Sequence, residues 1–341
     1  MKKKNMRTVL AVILALMMAF SLAACSGGSS DEQAAVGGSD ASEAGDTTSG
    51  EPKTALLLVK NQTNPFFVEM ADAVKALGES WGWTVDVKYP VTPDSNEEQI
   101  QILEQALVNP PDVFLVVPAD SKGITPAIEK INEAGIPVVD INTRMYDESL
   151  DVLCYTGFEN VDGSWMAVKE GAKVAANGGK NVIILEGVTG AQTSIDRTTG
   201  AKEAIEELGL TLTDIQPTDY NRVKAKEVMT SLLAAHPDID LVFGASGEVA
   251  LGAVEAIRAA NRQDEITVVT INAYKELIEA IKDGRIALTV DDQSWRQGEL
   301  GLEAAKIYFE QGKDAVEANY YCGGEVVDAS NVDAFIAKKG W

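Results

Sequence analysis

From residue 54 onward, short apolar runs alternate with longer stretches in which apolar residues recur every three or four positions. Most of the short runs are continuously hydrophobic, which is typical of strands that are covered on both faces of a sheet. They lie at 55–59, 85–89, 113–117, 136–141, 152–155, 182–185, 241–243, 266–271 and 286–290. The pattern therefore predicts buried strands separated by helices.

The longer stretches have the periodicity and end signals of helices. In the first, one face collects Phe67, Met70, Ala71, Val74 and Trp81. A second helix is predicted to begin at the good N-cap residues Asp94 and Ser95, and a third to stop at Gly135, before Pro137. Repetition of strand, helix and strand at this period predicts right-handed parallel units and an α/β fold.

The strand and helix series runs twice, over about 54–157 and 158–291, and is followed by a long helix and a further strand. A chain of 341 residues exceeds what one compact core usually holds. We therefore expect two doubly wound lobes of similar size. No Pro/Ser-rich linker separates the two halves, so short structured crossings should join them.

The N-terminus has the pattern of a bacterial lipoprotein signal. A basic segment (Lys2, Lys3, Lys4, Arg7) precedes an apolar run over 9–20, which is too short to span a membrane comfortably. Small residues then lead directly to Cys25, as in a lipobox. We predict a signal peptide over 1–24 and a lipidated Cys25 that anchors the chain to the membrane. The alternative is an ordinary secretory signal that contains a cysteine.

Residues 25–53 are rich in Gly, Ser, Ala, Asp and Glu, a composition that predicts a flexible acidic tether. The formal net charge of the whole chain is −23, and removal of the basic signal makes it still more negative. Such a surface repels phosphate backbones and anionic lipid, so nucleic acid is not expected as a partner.

Polar residues follow most of the predicted strands, where parallel sheets bind their ligands. They include Asn61, Gln62, Thr63, Asn64, Asn142, Thr143, Arg144, Glu186, Ser246, Glu248, Asn272, Asp291, Asp292 and Gln293. Amides and carboxylates can bind neighbouring hydroxyls, and aromatic rings can lie against the apolar face of a sugar. The other interpretation, that these residues only form turns and cap helices, applies to about half of them.

Catalytic and cofactor motifs are sparse. His236 is the only histidine and lies in a helix-ending turn, which excludes a histidine-rich metal site. No Gly-x-Ser-x-Gly motif occurs, and the glycines at 187 and 190 lack the Gly-Lys-Ser/Thr of a phosphate loop. We expect no catalytic residues, metal or cofactor. Outside the cytoplasm Cys154 and Cys322 could form a disulfide or remain as buried thiols.

Five motifs resemble those of the ribose-binding protein family, the type I periplasmic sugar-binding proteins of ABC transporters. They are TNPFF (63–67), VPADS (117–121), AGIPVV (134–139), LLAAHPD (232–238) and EVALGA (248–253). The resemblance covers about 54–327 and implies two lobes joined by three crossings, with the ligand in the cleft. By analogy, the first lobe comprises 54–157 plus 293–322 and the second 158–292 plus 323–341. It also implies a monomer and a membrane permease as partner.

The resemblance assigns ligand positions on both lobes. Asn64, Phe66 and Phe67 match the polar and aromatic contacts of the first lobe, and Tyr220 matches an aromatic wall residue. At the remaining positions the chain departs from the family. Asn142 stands where the family has an Asp and Thr143 where it has an Arg, and the arginine of this chain, Arg144, comes one place later. Ser246 replaces an Asn, Asn272 an Asp and Asp292 a Gln.

A further departure concerns Ile195, which falls where ribose binders have an arginine. The lost donor and the exchange of Asp for Asn predict a neutral sugar other than ribose, a polyol or an amine-bearing derivative.

The sequence thus predicts an extracytoplasmic substrate-binding lipoprotein that captures a sugar or polyol by hinge closure and delivers it to an ABC permease, without enzymatic activity. One alternative is a sensory receptor that presents its ligand to a signalling protein. Another is a sugar-acting enzyme that uses Glu186, Asp291 or Asp292 as acid and base. A repressor with this fold is not expected, because a signal occupies the place of a helix-turn-helix.

Overall fold

The computed structural model describes residues 52–175 and 179–341. The predicted signal peptide over 1–24, Cys25 and nearly all of the predicted tether lie outside the described residues. Among the helices that are described, none combines the length and the apolar character needed to cross a bilayer.

Twelve strands and ten α-helices make up the described part of the chain. The strands are β1 (Thr54–Leu58), β2 (Thr84–Lys88), β3 (Val113–Val116), β4 (Val138–Ile141), β5 (Cys154–Phe158), β6 (Asn181–Glu186), β7 (Thr211–Pro217), β8 (Leu241–Gly244), β9 (Thr267–Ile271), β10 (Leu288–Asp291), β11 (Asn319–Cys322) and β12 (Glu325–Asp328). The helices are α1 (Pro65–Ser80), α2 (Asn96–Ala106), α3 (Thr125–Glu133), α4 (Asn160–Val174), α5 (Gln192–Glu207), α6 (Arg222–Ala235), α7 (Gly247–Ala259), α8 (Lys275–Lys282), α9 (Ser294–Gln311) and α10 (Val332–Lys339).

The strands form two six-stranded sheets of matching topology. The first has the order β11-β5-β4-β3-β1-β2 and the second β12-β10-β9-β8-β6-β7. All neighbours are parallel except β10 and β12, which are antiparallel. The chain passes between the sheets three times, after β5, after β10 and between β11 and β12. The predicted α/β fold of two doubly wound lobes is confirmed.

Each of the nine predicted apolar runs overlaps a strand, and two strands, β11 and β12, follow the long helix where one was expected. β7 is absent from the prediction. Its sequence, TLTDIQP, has no continuous apolar run, and its residues are exposed or half-buried. β7 lies at the edge of the second sheet, where one side of the strand has no neighbour. The continuous hydrophobicity that marks central strands is therefore not required there.

The helix ends follow the capping signals of the sequence. Asn64 is the N-cap of α1, where its side chain accepts from the N–H of Phe66. Ser95 caps α2 by accepting from the N–H of Glu98. Gly135, with a φ of +71°, follows the end of α3 and turns the chain into β4. The caps at Asn64 and Ser95 fix loops at the carboxyl ends of the first sheet, whereas Gly135 lies before the amino end of β4.

Cys154 and Cys322 are both buried and both free. On the adjacent strands β5 and β11, Cys322 is the register partner of Phe158, four residues beyond Cys154. At about 3.3 Å per residue the two cysteines are about 13 Å apart, too far for a disulfide. Burial raises the pKa of each thiol to about 12, so both stay protonated.

Candidate functional site

A cavity lies between the two sheets, beyond the carboxyl ends of their strands, where parallel sheets usually bind ligands. Its volume is about 30 Å³. The lining residues come from both lobes and are Lys60, Asn61, Asn64, Phe66, Phe67, Asp94, Asn142, Thr193, Arg197, Tyr220, Ser246 and Asn272. A larger open groove of about 800 Å³ shares Asn61, Asn64, Asp94 and Tyr220 with it, so the cavity is the inner end of a cleft.

The loop after β1 and the first turn of α1 form one wall of the cavity. Asn61 accepts from the backbone N–H of Asn64 at 2.8 Å and donates to Asp94 at 3.1 Å, which fixes the loop. Phe66 and Phe67 pack edge to face, with ring centroids 5.2 Å apart. The wall therefore combines amide groups with two rings held in a fixed arrangement.

Lys60 is the cation of the first lobe and is only 1% exposed. Its Nζ donates to Thr143 Oγ1 at 2.6 Å and lies 6.0 Å from the centroid of the Tyr220 ring in the second lobe. Desolvation lowers the pKa of Lys60 to about 8, although Asp94 acts in the opposite direction. An ammonium that is buried with a single hydrogen bond retains donors for a ligand.

Arg197, on α5, is the cation of the second lobe and is held on three sides. Its Nε donates to Asn160 Oδ1, its Nη1 to the carbonyl of Ala245 and its Nη2 to Asp292 Oδ2, each at 2.8 Å. Asn272 also donates to Asp292, at 2.9 Å. Burial raises the pKa of Asp292 to about 6 despite the nearby Arg197, so the carboxylate is ionised at neutral pH.

The expected loss of an arginine donor at Ile195 is wrong. Ile195 is half-exposed on α5, and Arg197, two residues further along the same helix, brings its guanidinium into the cavity. Residues two apart on a helix point in different directions, so a shift of two positions decides whether a side chain faces the ligand. The cavity therefore has an arginine donor.

Tyr220, Thr193 and Ser246 complete the second wall. The Tyr220 ring covers Gly187, where a Cβ would lie 2.0 Å from a ring carbon, so the close approach requires glycine. The Tyr220 hydroxyl donates weakly to Thr193 Oγ1 at 3.4 Å. Ser246 is also the N-cap of α7 and accepts from the N–H of Val249.

The structure brings seven of the predicted ligand residues to the cavity: Asn64, Phe66, Phe67, Asn142, Tyr220, Ser246 and Asn272. Thr143 lies beneath it, between Lys60 and Thr193, and Asp292 lies behind Arg197 and Asn272.

Arg144 is turned away from the cavity. Its guanidinium lies 4.0 Å from the centroid of the Tyr155 ring and donates to Asn319 and Tyr321 at 2.8 Å. These contacts hold the side chain against β5 and β11, so the prediction that Arg144 binds the ligand requires correction.

Five lining residues were not predicted as ligand contacts: Lys60, Asn61, Asp94, Thr193 and Arg197. Asn61 was counted among the polar residues that follow the predicted strands, and Lys60, two residues beyond β1, has the same signal of position. Nothing in the local sequence marks Asp94 as more than a helix-cap candidate. Its role depends on its contact with Asn61 across two loops.

The carboxylates considered for acid and base chemistry do not meet in the cavity. Glu186 accepts from Thr198, and Asp291 lies 3.6 Å from Lys339. His236 contacts Asp214 at 3.1 Å at the end of α6. In the part of the chain that the structure describes, no group of His, Cys, Asp and Glu could hold a metal ion.

Residues 55–314 match the family described as periplasmic binding protein domain. The chain is 33% identical to the ribose import binding protein of Bacillus subtilis over 261 residues, which cover 76% of this chain and 83% of that protein. It is 30% identical to the D-ribose/D-allose-binding protein of Pseudomonas aeruginosa over 264 residues, 76% of this chain and 82% of that protein.

Among solved structures, an ABC transporter periplasmic solute-binding protein of Actinobacillus succinogenes with bound D-allose superposes with a TM-score of 0.76. It is 27% identical, and the match covers 83% of this chain and all of that chain. The family match, the paired sheets and the interlobe cavity agree with one another. The chain belongs to the type I periplasmic sugar-binding protein family.

Proposed function

We propose that this chain is an extracytoplasmic substrate-binding lipoprotein of an ABC transporter, which captures a sugar or related polyol between its lobes by hinge closure. The observation that carries the proposal is the interlobe cavity, where amides, two cations and three aromatic rings from both lobes converge. Such a set can bind several hydroxyls at once and pack against the apolar face of a ring.

The chemistry of the cavity favours a ligand rich in acceptors and hydroxyls. The Oδ1 of Asn64 is engaged by its own helix, so its amide NH₂ remains as a donor. Lys60 and Arg197 are stronger donors, because hydrogen bonds from charged groups contribute about 1.5–3 kcal/mol each when desolvated. Acceptors come from two carboxylates: that of Asp94, to which Asn61 donates, and that of Asp292, to which Asn272 donates.

Hinge closure is supported by the contacts across the cleft. Thr143 of the first lobe meets Thr193 of the second at 3.3 Å, and Ser121 contacts Gln192 at 2.9 Å. With the lobes in contact, a cavity of about 30 Å³ has room for about two water molecules. A sugar therefore enters when the lobes part. A ligand that touches both lobes favours their closure.

The delivery of ligand to a permease and the anchor at Cys25 have separate support. Relatives named as ribose import and ABC transporter binding proteins support the transport role. The basic, apolar and small-residue pattern that ends at Cys25 supports lipidation. Mass spectrometry of the chain from a bacterial membrane fraction would test the anchor, because an unmodified Cys25 contradicts it.

The binding function is tested by thermal shift and titration calorimetry against D-ribose, D-allose, other pentoses and hexoses, amino sugars and myo-inositol. A ligand at a hundredfold excess over its Kd stabilises the fold by about 2.7 kcal/mol. We expect at least one sugar or polyol to bind, and Arg144→Ala, which changes a residue outside the cavity, to bind it as well as the wild type. Absence of binding across the panel, or turnover of a bound sugar, would contradict the proposal.

A further inference from the structure

A loop of the first lobe reaches across the cleft to the start of a helix in the second lobe. The loop follows β3, and its Ser121 is 2% exposed. Ser121 Oγ accepts from the backbone N–H of Gln192, the first residue of α5, at 2.9 Å. The backbone N–H of Ser121 donates to the carbonyl of Gly190 at 3.3 Å.

Helix α5 has no N-cap side chain of its own. The residue at its N-cap position is Ala191, which has no polar side chain to accept a hydrogen bond. Among the ten described helices, α1, α2, α6 and α7 are capped by Asn64, Ser95, Asn221 and Ser246, each from the same lobe as its helix, and the other six have no side-chain cap from their own N-cap residue. The backbone donor at the start of α5 is satisfied by a serine of the opposite lobe.

The backbone of the second lobe is shaped for this contact. Gly190 has a φ of +88°, and a Cβ there would lie 2.7 Å from Asp120 Oδ2. Asp120 accepts from the N–H groups of Lys122 and Gly123, which holds the loop that presents Ser121. Glycine thus allows the two lobes to approach closely next to the cap.

We propose that Ser121 is an N-cap supplied by one lobe to a helix of the other, and that it forms only when the lobes close. By stabilising the closed state it sets the affinity for ligand without touching the ligand, since Ser121 does not line the cavity. The effect on affinity rests on the proposed binding function. The cap also orders the first turn of α5, which brings Thr193 to the cavity.

The size of the effect follows from population shift. A contact present in the closed state and absent from the open state multiplies the closed-to-open ratio by a fixed factor, and, in a ligand-free protein that is mostly open, the apparent affinity changes by the same factor. Loss of a serine cap typically corresponds to about a fivefold change in an equilibrium constant. The factor should be equal for every ligand, because the contact lies outside the cavity.

The test compares Ser121→Ala with Ser95→Ala, a matched serine cap that acts within one lobe. Calorimetric titration uses D-ribose, D-allose and myo-inositol as probes. We expect Ser121→Ala to weaken every measurable Kd by about fivefold and to leave the melting temperature of the ligand-free protein unchanged. Ser95→Ala should lower that melting temperature by about 2–4 °C and leave Kd unchanged. An unchanged Kd in Ser121→Ala, or factors that differ among ligands, would overturn the proposal.

A second measurement separates the cap from the binding function. On this proposal the closed state is a minor state of the ligand-free protein, and paramagnetic relaxation enhancement between a spin label on one lobe and amides of the other measures its population. In ligand-free protein we expect that closed population to fall about fivefold in Ser121→Ala. If no probe binds but the closed population falls, the ligand class is wrong and the cap stands. Equal closed populations in the two proteins would refute the cap.

Discussion

Each lobe contributes one buried cation to the cleft, and the two are held in different ways. Arg197 of the second lobe is fixed by three hydrogen bonds, one of them to the buried carboxylate of Asp292. Lys60 of the first lobe has one, to Thr143, and its pKa falls to about 8. Arg197 is therefore part of the structure of its lobe. Burial of the Lys60 ammonium costs desolvation free energy, which hydrogen bonds to a ligand can offset.

The difference has a physical basis in the two side chains. A planar guanidinium offers five N–H groups in a fixed fork, which suits an arginine that must hold a carboxylate and still face a ligand. An ammonium on a flexible stem is readily desolvated and can reorient its three donors. The same cleft thus combines a preorganised donor with an adaptable one, and substitution should separate their contributions to stability and to affinity.

The largest effect is expected for Arg197→Met. This change leaves the buried carboxyl of Asp292 without its partner, so that it is either charged and unpaired or protonated, and the loss of the pair costs about 3–5 kcal/mol of folding free energy. Ligand binding should be lost as well. Chemical denaturation and calorimetry measure the two effects, and the double variant Arg197→Met with Asp292→Asn is the control. It should regain stability without regaining affinity, and a single variant as stable as the wild type would refute the structural role of Arg197.

Lys60→Met should weaken ligand binding without lowering the stability of the fold. A methionine fills a similar volume without a buried charge, so the free energy of unfolding should stay the same or rise. The affinity should fall by about tenfold or more, because a charge-assisted donor is lost. A variant that loses stability as severely as Arg197→Met would show that the two cations have equivalent structural roles.

The sequence predicted the fold better than it predicted these two cations. Central strands of a parallel sheet need continuous apolar runs, and the eight central strands were all recognisable, whereas the edge strand β7 has no such requirement. The TNPFF motif likewise located Asn64, Phe66 and Phe67 because the three lie together at one helix start.

The cations were missed for two reasons. Arg197 lies two residues from the position assigned by resemblance, and only the helix geometry shows which side chain faces the cleft. Lys60 is at the end of a strand, but a lysine there is ordinarily solvated, and its burial depends on contacts with Thr143 and the opposite lobe. Local patterns carry no information about such long-range packing.

The pH dependence of the affinity should reflect one titrating group in each lobe. Above pH 8 Lys60 loses its proton and its charge-assisted donor, so the affinity should fall by about fivefold toward pH 9. Below pH 6 Asp292 takes up a proton and no longer pairs with Arg197, so the affinity should fall again. Calorimetry between pH 5 and 9 measures the profile. Lys60→Met should abolish the alkaline limb alone, and an unchanged alkaline limb in this variant would exclude Lys60 as its source.

The smallest effect on affinity is expected for removal of the Tyr220 hydroxyl. Its hydroxyl makes one long hydrogen bond, to Thr193 at 3.4 Å, while its ring covers Gly187 and lies within 6.0 Å of Lys60. Tyr220→Phe keeps the ring and should change the affinity by less than about twofold, because a bond of that length contributes little. Tyr220→Leu removes the aromatic face and should weaken binding by about tenfold. A loss of tenfold in Tyr220→Phe would mean that the hydroxyl itself binds the ligand, and the second lobe would then depend on Tyr220 as much as on Arg197.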